Sequence, residues 1–179
     1  MKIEIDTNLY LELISEVHAP QIFNVVEKNR AHLRPWLPFV DTMQNVQFAE
    51  NFVNGTIRRN KEGTEYAFVI IAGDEVVGRI GLYKIDNLNR VGELGYWLAE
   101  SHQGKGIVTR ACRTLINFCF SDVGLNRIEI RCGTQNTRSK AIPEKLNFRF
   151  EGVIRQGELL YEKFIDLNLY SLLREELKL

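Results

Sequence analysis

Gly104 and Gly106 flank Lys105 in the stretch SHQGKGIVTRA, Ser101 to Ala111, and an apolar helical stripe follows at once. Glycines let a backbone approach another group closely, and a helix start offers unpaired N–H groups with a favourable dipole for an anion. Three phosphate-binding readings can be separated by spacing. A Walker loop requires Ser or Thr after its lysine, and Gly106 follows Lys105. A dinucleotide fingerprint requires a small third residue where Thr109 stands. A shorter loop remains, in which the N–H groups of Gln103, Gly104, Lys105, Gly106, Ile107 and Val108 converge on a pyrophosphate. A plain strand-to-helix turn accounts for the two glycines equally well when they are taken alone.

Other chemistry is scarce. Cys112 and Cys119 lie seven residues apart on an expected helix, so their backbones are separated by roughly 10 Å of helical rise. A disulfide needs them within about 7 Å, so they read as small buried hydrophobes. His18, His32 and His102 are isolated, and no His/Cys spacing resembles a zinc site. No metal is expected.

Lysine plus arginine and aspartate plus glutamate both number 23, and the balance argues against a protein whose main work is binding nucleic acid. The charged N-terminus MKIEIDTNLY lacks the apolar core of a secretory signal. The longest strongly apolar run, YAFVIIA from Tyr66 to Ala72, is far short of a membrane span. These features point to a soluble, cytoplasmic protein folded as one domain over residues 1–179.

The elements that position the glycine stretch follow from periodicity. LYLELI alternates as a first strand, and two helices follow, one from about Pro20 to Leu33 and one in NVQFAENFVNGTIRRNKEG. YAFVIIA and VVGRIGLYKI read as a hairpin, and VGELGYWLAE as a third strand leading into the glycines. Val108, Ala111, Cys112, Leu115 and Cys119 form a helical stripe. RIEIRC is a strand, TRSKAIPEKLNF a short helix, and RFEGVIRQGELL with YEKFIDLNLYSLL a final hairpin. The order predicts an α+β (mixed α/β) fold, a mostly antiparallel sheet of about seven strands flanked by about four helices, with one βαβ crossover at the glycines.

GELGYWLAESHQGKGIVTRA, followed by NTRSKAIPEKLNF, resembles the GNAT acetyltransferase superfamily, whose members hold acetyl-CoA through a [QR]-x-x-G-x-[GA] loop. Gly104 and Gly106 match that pattern, and Ser101 stands at its first position. RPWLPF, GYWL, and the set Asn136, Ser139, Ile142, Glu144, Leu146 and Phe148 look most like the RimJ/RimL-type protein N-acetyltransferases. Asn147 replaces the usual glycine at the helix end, where asparagine is the next-best residue for a left-handed backbone.

The resemblance implies a GNAT fold and direct acetyl transfer from acetyl-CoA to an amine. The acceptor it implies is the α-amine of a protein N-terminus such as a ribosomal protein; a polyamine, an amino sugar or a non-catalytic CoA-binding role are the alternatives. It assigns Glu158 as base and Ser139 as the group beside the cofactor sulfur. Asn136 would bond the pantetheine arm or cap the last helix, and backbone near Trp97 and Leu98 would pair with the pantetheine and supply an oxyanion donor. Trp36, between Pro35 and Pro38, would line the acceptor groove or pin the first helices. A homodimer is compatible with this reading.

Overall fold

The computed structural model describes residues 1–177. Its elements are β1 (Lys2–Asp6), β2 (Leu9–Leu13), α1 (Ala19–Lys28), α2 (Arg30–Leu33), α3 (Phe39–Thr42), α4 (Val46–Lys61), β3 (Tyr66–Ala72), β4 (Glu75–Asp86), β5 (Val91–Leu98), α5 (Ile107–Ser121), β6 (Arg127–Gly133), α6 (Thr137–Lys145), β7 (Arg149–Leu160) and β8 (Lys163–Leu173). The strands form one sheet in the order β1-β2-β3-β4-β5-β6-β8-β7. Every pairing is antiparallel except β5 with β6, which α5 joins as the expected crossover.

The expected seven strands become eight, and the four helices become six. Strand β1 escapes a reading by periodicity because its charged residues outnumber the apolar ones. Only Ile3 and Ile5 of KIEID pack inward, against the core beneath α5. The expected helix over Pro20 to Leu33 breaks at Asn29, whose φ of −119° leaves the helical range. Its side chain explains the break. Nδ2 donates to the Val25 carbonyl (2.8 Å), and Oδ1 accepts from the Glu100 N–H (2.9 Å), just before the glycine loop.

Strand alternation divides the core between the two faces of the sheet. Phe68 and Ile70 point to one face, with Ile107, Ala111, Cys112, Leu115 and Cys119 of α5. Val69 and Ile71 point to the other, with Ile22, Val26 and Val53 from α1 and α4. Fully burying each Val, Leu, Ile or Phe side chain among these contributes about 1.5–3 kcal/mol. Cys112 and Cys119 are free and fully covered, as their spacing requires. None of the described helices is long and apolar enough to cross a membrane.

One break in the sheet sets up everything that follows. β5 and β6 pair only at Val91↔Arg127, Gly92↔Ile128 and Glu93↔Glu129. Beyond Glu93, β5 runs on to Leu98 and β6 to Gly133 without pairing to each other. β6 keeps its full register with β8, to Gly133↔Leu167. The two strands therefore part like the arms of a V, and the backbone inside the V is open to an added strand.

Candidate active site

The glycine loop lies at the end of the β5 arm. Gly104 and Gly106 have φ of +74° and +69°, left-handed values that glycine adopts at no steric cost. A Cβ on either would meet nothing within 4 Å, so the loop presents bare backbone to open space. Gly106 is the N-cap of α5 and supplies no side-chain cap. Among the described residues, the N–H groups of Gly104, Lys105 and Gly106 have no hydrogen-bond acceptor. This is the geometry an anionic pyrophosphate requires. Lys105 is exposed beside it, while the Ile107 side chain is buried and can offer only its N–H.

Side chains from two other elements fix the loop. Arg138 of α6 donates to Gln103 Oε1 (2.7 Å), so the Gln103 amide nitrogen faces His32 Nε2 of α2 (2.7 Å). With its oxygen committed to arginine, Gln103 must donate and His32 Nε2 must accept. Ser101, placed by sequence at the pattern's first position, hydrogen-bonds through its side chain to its neighbour His102 (3.0 Å). The glutamine that ties this loop down is Gln103.

α6 packs at the V on the α5 side. Asn136 is its N-cap, with Oδ1 accepting from the Ser139 N–H at 3.1 Å, the capping alternative of its two expected roles. Asn147 ends the element at φ +60°, as expected. Pro143 lacks the N–H that would bond the carbonyl four residues back, which belongs to Ser139. The Tyr96 hydroxyl of β5 donates to that carbonyl instead (3.0 Å). Ser139 Oγ in turn lies 3.4 Å from the same hydroxyl. Burial drives the Tyr96 pKa well above its usual value, so the group stays a neutral donor. Sequence reasoning missed Tyr96; the signal was Pro143, which demands a substitute donor for Ser139.

The opposite face of the V carries the carboxylates. β7 departs from β8 between Ile154↔Leu167 and Glu158↔Ile165, spending four residues against two. Gln156 takes φ +50° in this bulge and donates its N–H to Asp166 Oδ1 (2.7 Å). A Cβ on Gly157 would lie 2.9 Å from Ile154 Cγ2, so a larger residue would have to displace the Ile154 or Leu167 side chain. The bulge sets Glu158 on the face of its pair partner Ile165, whose Cδ1 abuts Gly133. Trp36 closes on Gly133 from the α2–α3 loop and is 36% exposed. The Tyr161 hydroxyl donates to the Arg34 carbonyl (2.7 Å), tying the β7–β8 turn to that same loop. Between them lies a cleft of about 960 Å³ lined by Arg34, Pro35, Tyr161 and Ile165.

Glu158 is half-buried and has no salt bridge or hydrogen bond from a side chain among the described residues. Burial raises its pKa, the Glu93 carboxylate raises it further, and Lys84 opposes. The structure thus places Glu158 and Trp36 on one face of the V and Ser139, Asn136 and the glycine loop toward the other. The Trp97 side chain is buried with Phe39 (ring centroids 6.4 Å apart) and is a core side chain. Leu98 is likewise a core side chain. No cluster of three or more metal-ligating side chains occurs among the described residues.

Comparison with known proteins assigns the chain to a family. The family model for the acetyltransferase (GNAT) domain matches residues 8–149. Ribosomal-protein-serine acetyltransferase of Escherichia coli (strain K12) is 31% identical over 169 residues, 94% of each chain. A putative ribosomal N-acetyltransferase of Bacillus subtilis (strain 168), YdaF, is 30% identical over 174 residues, 97% of this chain and 95% of that one. A solved RimL ribosomal L7/L12 alpha-N-protein acetyltransferase in complex with coenzyme A superposes with a TM-score of 0.94 at 27% identity, covering 98% and 99% of the two chains. By sequence and by fold, the chain belongs to the GNAT family of acetyl-CoA-dependent N-acetyltransferases.

Proposed function

We propose that this enzyme transfers the acetyl group of acetyl-CoA to the α-amine of a protein N-terminus, a ribosomal protein being the acceptor class, by direct attack in a ternary complex. The observation that carries the reading is Glu158: a half-buried carboxylate with no partner, on the face of the V opposite Ser139. A carboxylate whose proton affinity is raised can take a proton from an amine, which a salt-bridged one does poorly.

In this reading the pyrophosphate rests on the backbone of Gln103 to Val108, with Lys105 beside it. The pantetheine pairs with the open β5 edge at Trp97 and Leu98, near Asn136, as an added strand. The thioester then lies in the V. The acceptor enters past Trp36 and loses a proton to Glu158, and its nitrogen attacks the thioester carbon. Backbone N–H groups of β5 stabilise the oxyanion. The C–S bond breaks, and the Ser139 hydroxyl, oriented with Tyr96, donates a hydrogen bond to the leaving thiolate. The proton left on the attacking nitrogen passes to the thiolate, and the one taken by Glu158 is released to solvent, so the products are an acetamide and CoA thiol. The relatives named as ribosomal-protein acetyltransferases support the acceptor class and a cytoplasmic setting.

Purified protein and acetyl-CoA should be offered a panel of N-terminal peptides beside spermidine and amino sugars, with intact mass reporting which amine gains the acetyl group. α-Acetylation of peptides at rates well above the small amines is expected. Preference for a small amine would overturn the acceptor assignment.

A further inference from the structure

Cations reach toward the V from two strands, and neither takes Glu158. Lys84 of β4 lies 2.9 Å from Glu93 Oε2, and Arg131 Nε of β6 lies 3.5 Å from that same oxygen. Arg131 also donates to Glu129 (2.9 Å). On the remaining elements around the groove, Asp166 of β8 is occupied by the Gln156 N–H, and Arg34 of the α2–α3 loop is held by Asp41 (2.8 and 2.9 Å). Each of these charges has a partner. Glu158 has none among the described residues.

We propose that Glu93 is a positioning residue for acetyl transfer: by holding Lys84 on its carboxylate, with Arg131 shared between Glu93 and Glu129, it keeps that lysine off Glu158 and leaves the Glu158 carboxylate unpaired. Glu93 is suited to the task because it is the last β5 residue paired with β6 and its side chain is only 21% exposed. Lys84, 70% exposed on a flexible stem, is free to swing once its partner is gone. The inference rests on the reading of Glu158 as base.

Glu93→Gln changes two things in the same direction. It removes a like charge near Glu158 and releases Lys84 toward it, while Arg131 stays on Glu129, and both changes favour the ionised carboxylate. Lys84→Met does the reverse. The acceptor α-amine titrates near pH 8, so rate profiles alone would mix the two groups. The side-chain carboxyl resonance of Glu158 in ¹³C-labelled full-length protein, assigned by its loss in Glu158→Gln, reads the carboxylate directly.

The titration midpoint of Glu158 should fall in Glu93→Gln and rise in Lys84→Met. In Glu93→Gln the plateau of kcat/KM for an N-terminal peptide should drop on the order of a few-fold, as expected for a weaker base. The KM for acetyl-CoA should be unchanged in both variants. A Glu158 midpoint that stays put in folded Glu93→Gln overturns the inference and leaves the base assignment standing. Full activity in Glu158→Gln overturns the base assignment and this inference with it.

Discussion

Strand β7 carries two glutamates seven residues apart with opposite surroundings. Glu151 receives both terminal nitrogens of Arg127 (2.8 and 2.6 Å) and the Ser171 hydroxyl (2.6 Å), and these bonds hold its pKa down to about 2. Glu158 receives no cation, and burial with the charge of Glu93 pushes its pKa up. Side-chain type and strand are the same; burial and partners differ. On the proposed reading, the reactivity of this strand comes from burial and a withheld cation: Arg127 clamps Glu151, while Lys84 is held by Glu93 and kept from Glu158.

The largest test of that contrast is catalytic. Glu158→Gln should lower kcat on the order of 10²–10⁴-fold, the span typical of losing a general base. Glu151→Gln, equally isosteric, should leave kcat within about threefold, because Glu151 is committed to Arg127 and Ser171 and touches no proposed site residue. A continuous assay of CoA thiol release on both variants decides it. Equal losses would mean that the two carboxylates do not differ in the way their partners suggest.

Stability should separate the pair with opposite signs. The folded pKa of Glu151 lies below its unfolded value, so its bonds stabilise the fold above the unfolded pKa, and that gain is lost as pH falls toward 2. The folded pKa of Glu158 lies above its unfolded value, so its ionisation costs stability as pH rises through that window. Urea melts near pH 8 should therefore show Glu151→Gln destabilised and Glu158→Gln as stable as the parent or more so. In acid, below both unfolded values, the Glu158→Gln difference should vanish. A Glu158→Gln variant less stable than the parent at pH 8 would contradict the picture of an unpaired, half-buried charge.

How far the sequence reveals this site depends on how local each cause is. The glycine loop, α5 and α6 are legible because left-handed glycines, a helical stripe and an asparagine N-cap each act within one turn. The family pattern adds Glu158 and Ser139. Strand β1 is not legible, since two inward isoleucines among charges carry almost no pattern. The break at Asn29 is also hidden. It depends on the Glu100 N–H, 71 residues further along the chain. The isolation of Glu158 is the least legible feature, because it is decided by Lys84, Glu93 and Arg131 on three other strands. Single-residue chemistry can be read from a chain, whereas the absence of a partner is a property of the packed sheet.

The sulfur side of the V offers the neutral counterpart of this contrast, with a smaller expected effect. There the Ser139 carbonyl is deprived of its helical partner by Pro143, yet unlike Glu158 it is resupplied, by the Tyr96 hydroxyl. Tyr96→Phe should cost about 1–3 kcal/mol, the range for stranding a buried polar group. Pro143→Ala returns an N–H four residues on from Ser139, so the carbonyl regains its helical bond. In that background the same Tyr96→Phe change should cost under about 1 kcal/mol, and the difference is the coupling read from a double-mutant cycle. Equal costs in both backgrounds would show that Tyr96 supports the region by packing alone. A large coupling would mean that the proline and the tyrosine act together to hold the first turn of α6, and with it the Ser139 hydroxyl, at the mouth of the split sheet.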